Sequence, residues 1–185
     1  MDPNIFTPQL RARLFEVMTG RQGDVTGQGS VADKLAAAFG PGRRGGRVNV
    51  AAAAKALGVT PRTVQRWVSG EIRNPKPGTT KEINRRARQA ATTKRGRQRA
   101  MAARRGDRAA RRGAQLRVAG TMGPRDYERR GRVVNQALSP EMVDALRQAY
   151  EESGDQGLLE FTQQLLDREY VEDWNITDIN DFRID

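Results

Sequence analysis

NVAAAAKALGVTPRTVQRWVSG, residues 49–70, reads as two short helices joined by a tight turn. Ala53, Leu57, Val59, Val64 and Trp67 fall where the two helices must pack together, and Ala54 is small where they approach closely. Gly58 sits at the turn, where a positive φ is needed and a residue without Cβ adopts it freely. Thr60 caps the second helix and Pro61 begins it. With those faces inside, Arg62, Thr63, Gln65, Arg66 and Ser69 point outward. Arg suits guanine, Gln suits adenine, and Thr or Ser suits base edges or phosphate. The stretch therefore reads as a helix-turn-helix, with Thr60, Arg62, Thr63, Gln65, Arg66 and Ser69 as predicted DNA contacts. Trp67 is expected in the core rather than as a stacking platform.

Towards the N-terminus, Thr7 and Pro8 open a helix with Leu10, Leu14 and Val17 on one face, ended by Gly20. Residues 20–30 read as a flexible loop, and a second helix runs from about Val31 to Phe39, stopped by Gly40 and Pro41. The stretch PGRRGG, 41–46, is basic and glycine-rich but lacks GxxxxGK[ST], so it reads as a mobile basic connector.

Beyond the motif, Pro75 and Pro77 make 71–80 an extended linker, and Thr79 with Glu82 fits a capping box. A basic helical pattern then runs to about Arg112, interrupted near Gly96 and Gly106. Ile83 and Met101 are its main large apolar residues, so it is not expected to bury a good stripe. It reads as an arm that orders on DNA. Arg85, Arg86, Arg88, Lys94, Arg95, Arg97, Arg99, Arg104 and Arg105 are its predicted DNA contacts, with a steep salt dependence, and Arg73 just before it is another.

QLRVAGTM (115–122) and GRVVNQAL (131–138) alternate like short strands. Ser139-Pro140-Glu141 opens a helix with Met142, Val143, Leu146, Ala149 and Tyr150 on its face. A second helix carries Leu158, Phe161, Leu165, Leu166 and Tyr170, and DWNITDINDFRID suits a short third strand. Asp173, Asp178, Asp181 and Asp185 read as a solvated acidic edge rather than a metal site. The fold class is thus mainly α with a small α+β part. The expected domains are a helical DNA-binding domain over 1–74, a linker and Arg-rich helical arm over 75–113, and an acidic α+β module over 114–185.

Composition narrows the chemistry. The 185 residues carry 33 Lys+Arg, most of them arginine, against 22 Asp+Glu, for a formal charge of +11. An acidic partner is expected, and nucleic acid is the default. Residues 81–112 hold 13 bases and 2 acids, whereas 139–185 hold 3 and 13, so the two ends suit different tasks. Without Cys or His there is no thiol nucleophile, no Ser-His-Asp triad and no zinc finger. No cofactor is expected. The N-terminus has neither a basic region nor a long apolar stretch, and no run approaches a membrane span, so a soluble, cytoplasmic protein without membrane partners is expected.

LGVTPRTVQRWVSGEIRNPKP, followed by an Arg-rich stretch and an acidic end closing with NITDIND, resembles the telomere-protecting terminal proteins (the Tpg family) of linear Streptomyces and other actinobacterial chromosomes and plasmids. The resemblance covers about residues 45–185 and implies a protein bound at the 5′ ends of telomeric DNA, on the single-stranded overhang, the duplex or both, at the nucleoid. It implies a threonine hydroxyl that accepts the first deoxynucleotide while a partner DNA polymerase supplies the catalysis, so the chain itself is not an enzyme. It also implies a telomere-binding partner protein and self-association. Thr92 and Thr93 lie within the basic helix, Ser139 reads as a cap, and Tyr127 is chemically capable. Thr121, between Gly120 and Met122-Gly123 in what reads as a flexible and accessible setting, is the expected acceptor. Two other readings remain: a helix-turn-helix transcriptional regulator with an acidic dimerisation domain, and an architectural protein that coats DNA through the Arg-rich helix.

Overall fold

The computed structural model describes residues 5–42, 45–124, 126–170 and 172–185. It is a mixed fold of helices and a three-stranded antiparallel sheet. The chain divides into two compact units, Thr19–Ala102 and residues 5–18 with Ala103–Asp185.

The first unit is helical. Helix α2 (Val31–Phe39) starts with a capping box, Ser30 accepting from the Asp33 amide and Asp33 accepting from Ser30. Helix α3 (Val50–Leu57) is capped by Asn49 and ends at Gly58, whose φ of 66° is the left-handed conformation the turn requires. Helix α4 (Pro61–Val68) begins behind Thr60, whose hydroxyl accepts from the Thr63 amide. Val64 and Trp67 are buried with Leu35, Ala36, Val48, Ala53, Ala54 and Ile83 in one core. The helix-turn-helix therefore forms where it was read.

Ile83 in that core belongs to α5 (Pro77–Thr92), and this corrects the expectation of an arm without a buried stripe. Helix α5 buries Ile83, Ala87 and Ala90, and α6 (Lys94–Met101) buries Arg97, Ala100 and Met101. Half of the stripe is alanine, which buries little area but allows close helix approach. The expected capping box at Thr79 does not form. Pro77 starts the helix two residues earlier, Thr80 donates to the Pro75 carbonyl, and Glu82 binds Arg85 and Arg86. The interruption expected near Gly96 falls at Thr93, whose hydroxyl accepts from the Gly96 amide and caps α6.

In the second unit, α1 (Pro8–Thr19) buries Leu10, Leu14, Phe15 and Met18, a face one step round from the one expected, and Arg11 pairs with Asp155 at 2.9 Å. Past a 3-10 turn (Ala102–Arg104) and α7 (Arg108–Arg112) come β1 (Ala114–Pro124) and β2 (Arg129–Leu138). Helices α8 (Pro140–Ser153) and α9 (Asp155–Glu169) follow, then β3 (Trp174–Ile184). The sheet order is β2-β1-β3, so β1 is central and both partners run antiparallel to it. Leu116, Val118 and Met122 of β1 face the core with Val134 and Leu138 of β2 and Trp174, Ile176, Ile179 and Phe182 of β3. The third strand is not short. It runs for 11 residues, and the shifts in its pairing with β1 leave Thr177 and Asn180 as extra residues.

Asp107 ties this unit together. It caps α7 by accepting from the Ala110 amide, and Arg147 Nη2 donates to both its oxygens at 2.9 and 3.0 Å. Burial pushes the Asp107 carboxyl up, but the hydrogen bonds from Arg147 and Ala110 and the nearby charges of Arg147 and Arg104 outweigh it and hold it below its ordinary 3.8. A depressed folded value means stabilisation that is full above 3.8 and fades as pH falls through the lowered value. Asp107→Ala should therefore destabilise the protein by about 2 kcal/mol at neutral pH, with lost cap and lost pair together. In urea titrations repeated across pH, the gap from wild type should close towards strong acid; a gap independent of pH would show that the charge plays no part.

Candidate nucleic-acid interface

Helix α4 turns its two sides to different work. Val64 and Trp67, with half-buried Val68, face inward. On the opposite side Arg62, Gln65, Arg66 and Ser69 are all exposed, and their spacing of three and four residues makes one stripe. The side chains of Arg62 and Gln65 have no hydrogen-bond or ion-pair partner among the described residues. Arg66 Nε donates to Glu71 at 2.7 Å, a solvent-exposed pair that is cheap to exchange. Thr63 is half-buried at the flank, its hydroxyl 2.9 Å from that of Thr60. Two guanidiniums and an amide on a short, capped, exposed helix can form bidentate hydrogen bonds with base edges in a major groove.

The remaining predicted contacts separate into groups. Arg73, Lys94, Arg95 and Arg99 are exposed. Arg85 is also exposed but held by Glu82 and Gln89, and Arg88 donates to the Thr26 carbonyl. Arg86 links Glu82 to the Ala56 carbonyl near the end of α3, so it braces the helix-turn-helix. The hydrogen bond from Arg85 outweighs burial and, with Arg86, draws the Glu82 carboxyl down to about 2. Arg97 is a correction: it is buried, and its guanidinium donates to the Ala91 carbonyl, so it is no surface contact. Arg104 and Arg105 belong to the second unit, where Arg104 lies 3.6 Å from Asp107 and Arg105 3.5 Å from Glu151. Arg43 and Arg44 of the basic connector lie outside the described residues.

Thr121 is not in a flexible turn. Strand β1 continues through it to Pro124, and it pairs with Asp178 of β3 beside the bulge. Its side chain is half-buried, on the sheet face away from the core, and its carbonyl accepts from the Thr177 hydroxyl at 3.2 Å. Tyr127 stands in the β1–β2 connection and is 74% exposed. Of the acidic edge, Asp181 pairs with Arg183 and Arg117. Among the described residues no group of three or more acidic side chains could hold a metal ion, and no helix is long and apolar enough to cross a membrane.

One feature escaped the sequence. Helix α2, the end of α4 and α5 enclose an open groove of about 1230 Å³. Lys34 and Lys81 stand on it, 47 positions apart in sequence, and only the packing of α2 against α5 brings them together. No local pattern could have announced it.

Comparison with family models, curated proteins and solved structures finds no significant match for this chain.

Proposed function

We propose that this protein binds DNA by placing α4 in the major groove, and that it acts at the 5′ ends of linear replicons as a terminal protein and protein primer. The observation that carries the DNA reading is the exposed stripe of Arg62, Gln65, Arg66 and Ser69 opposite buried Val64 and Trp67. The terminal-protein reading is supported by the resemblance of residues 45–185. In it, the Thr121 hydroxyl attacks the α-phosphorus of the first deoxynucleotide, pyrophosphate leaves, and the hydroxyl proton passes to the polymerase site. Polymerase metal ions supply the catalysis, and the chain contributes an acceptor held in place. A telomere-binding partner and self-association complete the assembly, at the bacterial nucleoid.

Arg62→Ala and Arg66→Ala should each weaken binding to the cognate duplex by about 1–3 kcal/mol, measured by anisotropy at fixed salt. Equal loss on every sequence would make them phosphate contacts instead. For priming, the protein is incubated with host extract, telomeric DNA and one labelled deoxynucleotide at a time. Label that survives denaturation, maps to Thr121 and disappears in Thr121→Val is the expected result.

The transcriptional regulator is the second reading. It is favoured by the position of Thr121 inside the central strand, because a regulator needs no free hydroxyl. Tight sequence-specific binding with no covalent label would select it.

A further inference from the structure

The groove beside α4 has an apolar floor and a basic rim. Val68 and Pro77 give it apolar surface, with Trp67 and Pro75 buried against it, and Lys34, Arg73, Lys81 and Arg88 stand around it. None of its lining residues is acidic. The side-chain cations of Lys34, Arg73 and Lys81 have no ion-pair or hydrogen-bond partner among the described residues, and the Arg88 guanidinium donates to the Thr26 carbonyl. Arg85 also lines the groove, but Glu82 offsets its charge.

We propose that this groove docks an acidic, apolar-rich peptide segment of a partner protein, and that it does so independently of DNA. Charge complementarity fixes the sign of the occupant, and the floor fixes its apolar content. The groove exceeds the ~300–1,000 Å³ of small-molecule pockets, which favours a segment of chain. A nucleic-acid strand would satisfy the rim but leave the floor unmatched. Trp67 is 5% exposed and has no ring face to offer a base. A peptide that alternates carboxylates with apolar side chains meets both, as grooves that read amphipathic segments do. Arg62, Gln65 and Arg66 do not line the groove, whereas Ser69 stands on its edge, so three of the four stripe residues stay free when the groove is filled. The inference reassigns Arg73 and Arg88 from DNA contact to partner contact.

The test uses the full chain and a fluorescein-labelled synthetic peptide alternating Asp with Leu and Trp, beside a version with Ser in place of Leu and Trp. The alternating peptide should raise anisotropy on binding, and the Ser version should bind at least ~10-fold more weakly, about 1.4 kcal/mol. Lys34→Glu combined with Lys81→Glu should reduce peptide affinity by a similar factor while circular dichroism and duplex binding stay unchanged. If that pair disturbs folding, Lys34→Gln with Lys81→Gln should give the same direction of change. Saturating duplex should not displace the peptide. Equal binding of the Ser version, no binding of either peptide, or indifference to both variant pairs would overturn the proposal. Displacement by a single-stranded oligonucleotide of equal charge would also overturn it and make the groove a nucleic-acid site. Because peptide binding is read without DNA present, loss of the DNA reading leaves this result intact.

Discussion

Trp67→Ala should destabilise the helical unit by about 3–5 kcal/mol and abolish the specific DNA binding proposed for α4, although the residue is buried and its ring is not part of the exposed stripe. The indole sits in the core that joins α2, α3, α4 and α5, and α4 is only two turns long. A helix that short has no stability of its own and exists because its inner face is packed. Removing the ring deletes the largest side chain of that face and leaves a cavity that Ala53 and Ala54 are too small to fill. Urea unfolding should show a lowered midpoint with little change in slope, and amide exchange should accelerate in α3 and α4 first. Trp67→Phe should recover most of the loss. A near-neutral Trp67→Ala would mean that α4 is held by something other than this core.

Gly120→Ala should cost about 2–3 kcal/mol through enforced separation of β1 and β3. A Cβ at this position would lie 2.0 Å from the Asp178 carbonyl oxygen and 2.9 Å from the Ile179 Cα. Those are backbone atoms, so no rotamer change relieves the clash, and the strands must part beside the bulge. The neighbouring Thr121→Ala, on the half-exposed face of the same strand, should change stability by no more than about 0.5 kcal/mol. Thermal unfolding of the two variants side by side gives the comparison. Equal effects would place the close approach of the strands elsewhere.

These two positions also show what the sequence could and could not announce. The helix-turn-helix was legible because its signals are local: a turn glycine, a capping threonine, a proline at the first helical position and apolar spacing on both sides. The α5–α6 stretch was misread because burial was judged by large apolar residues, whereas Ala87, Ala90 and Ala100 join Ile83 and Met101 to make its inner face. Arg97 went with them, since nothing in its neighbours distinguishes a buried guanidinium from an exposed one. Thr121 looked like a turn residue because glycines flank it at 120 and 123. Gly120 is instead demanded by the closeness of β3, a constraint set 58 positions away in the chain. Strand β3 read as short because its core residues fall at 174, 176, 179 and 182, a spacing that makes sense only with extra residues in the pairing.

Those extra residues bear on how copies of the protein meet. A three-stranded sheet has two unpaired borders, and a flat border invites a neighbouring chain to add a strand. Here β3 is bent out of register twice, and β2 carries Arg129, Arg130 and Arg132, with the Asn135 carbonyl already accepting the Tyr170 hydroxyl at 3.0 Å. Neither border is a template for strand addition. At high concentration the sheet should resist fibre growth, and any association between copies must be built from helix surfaces and charge.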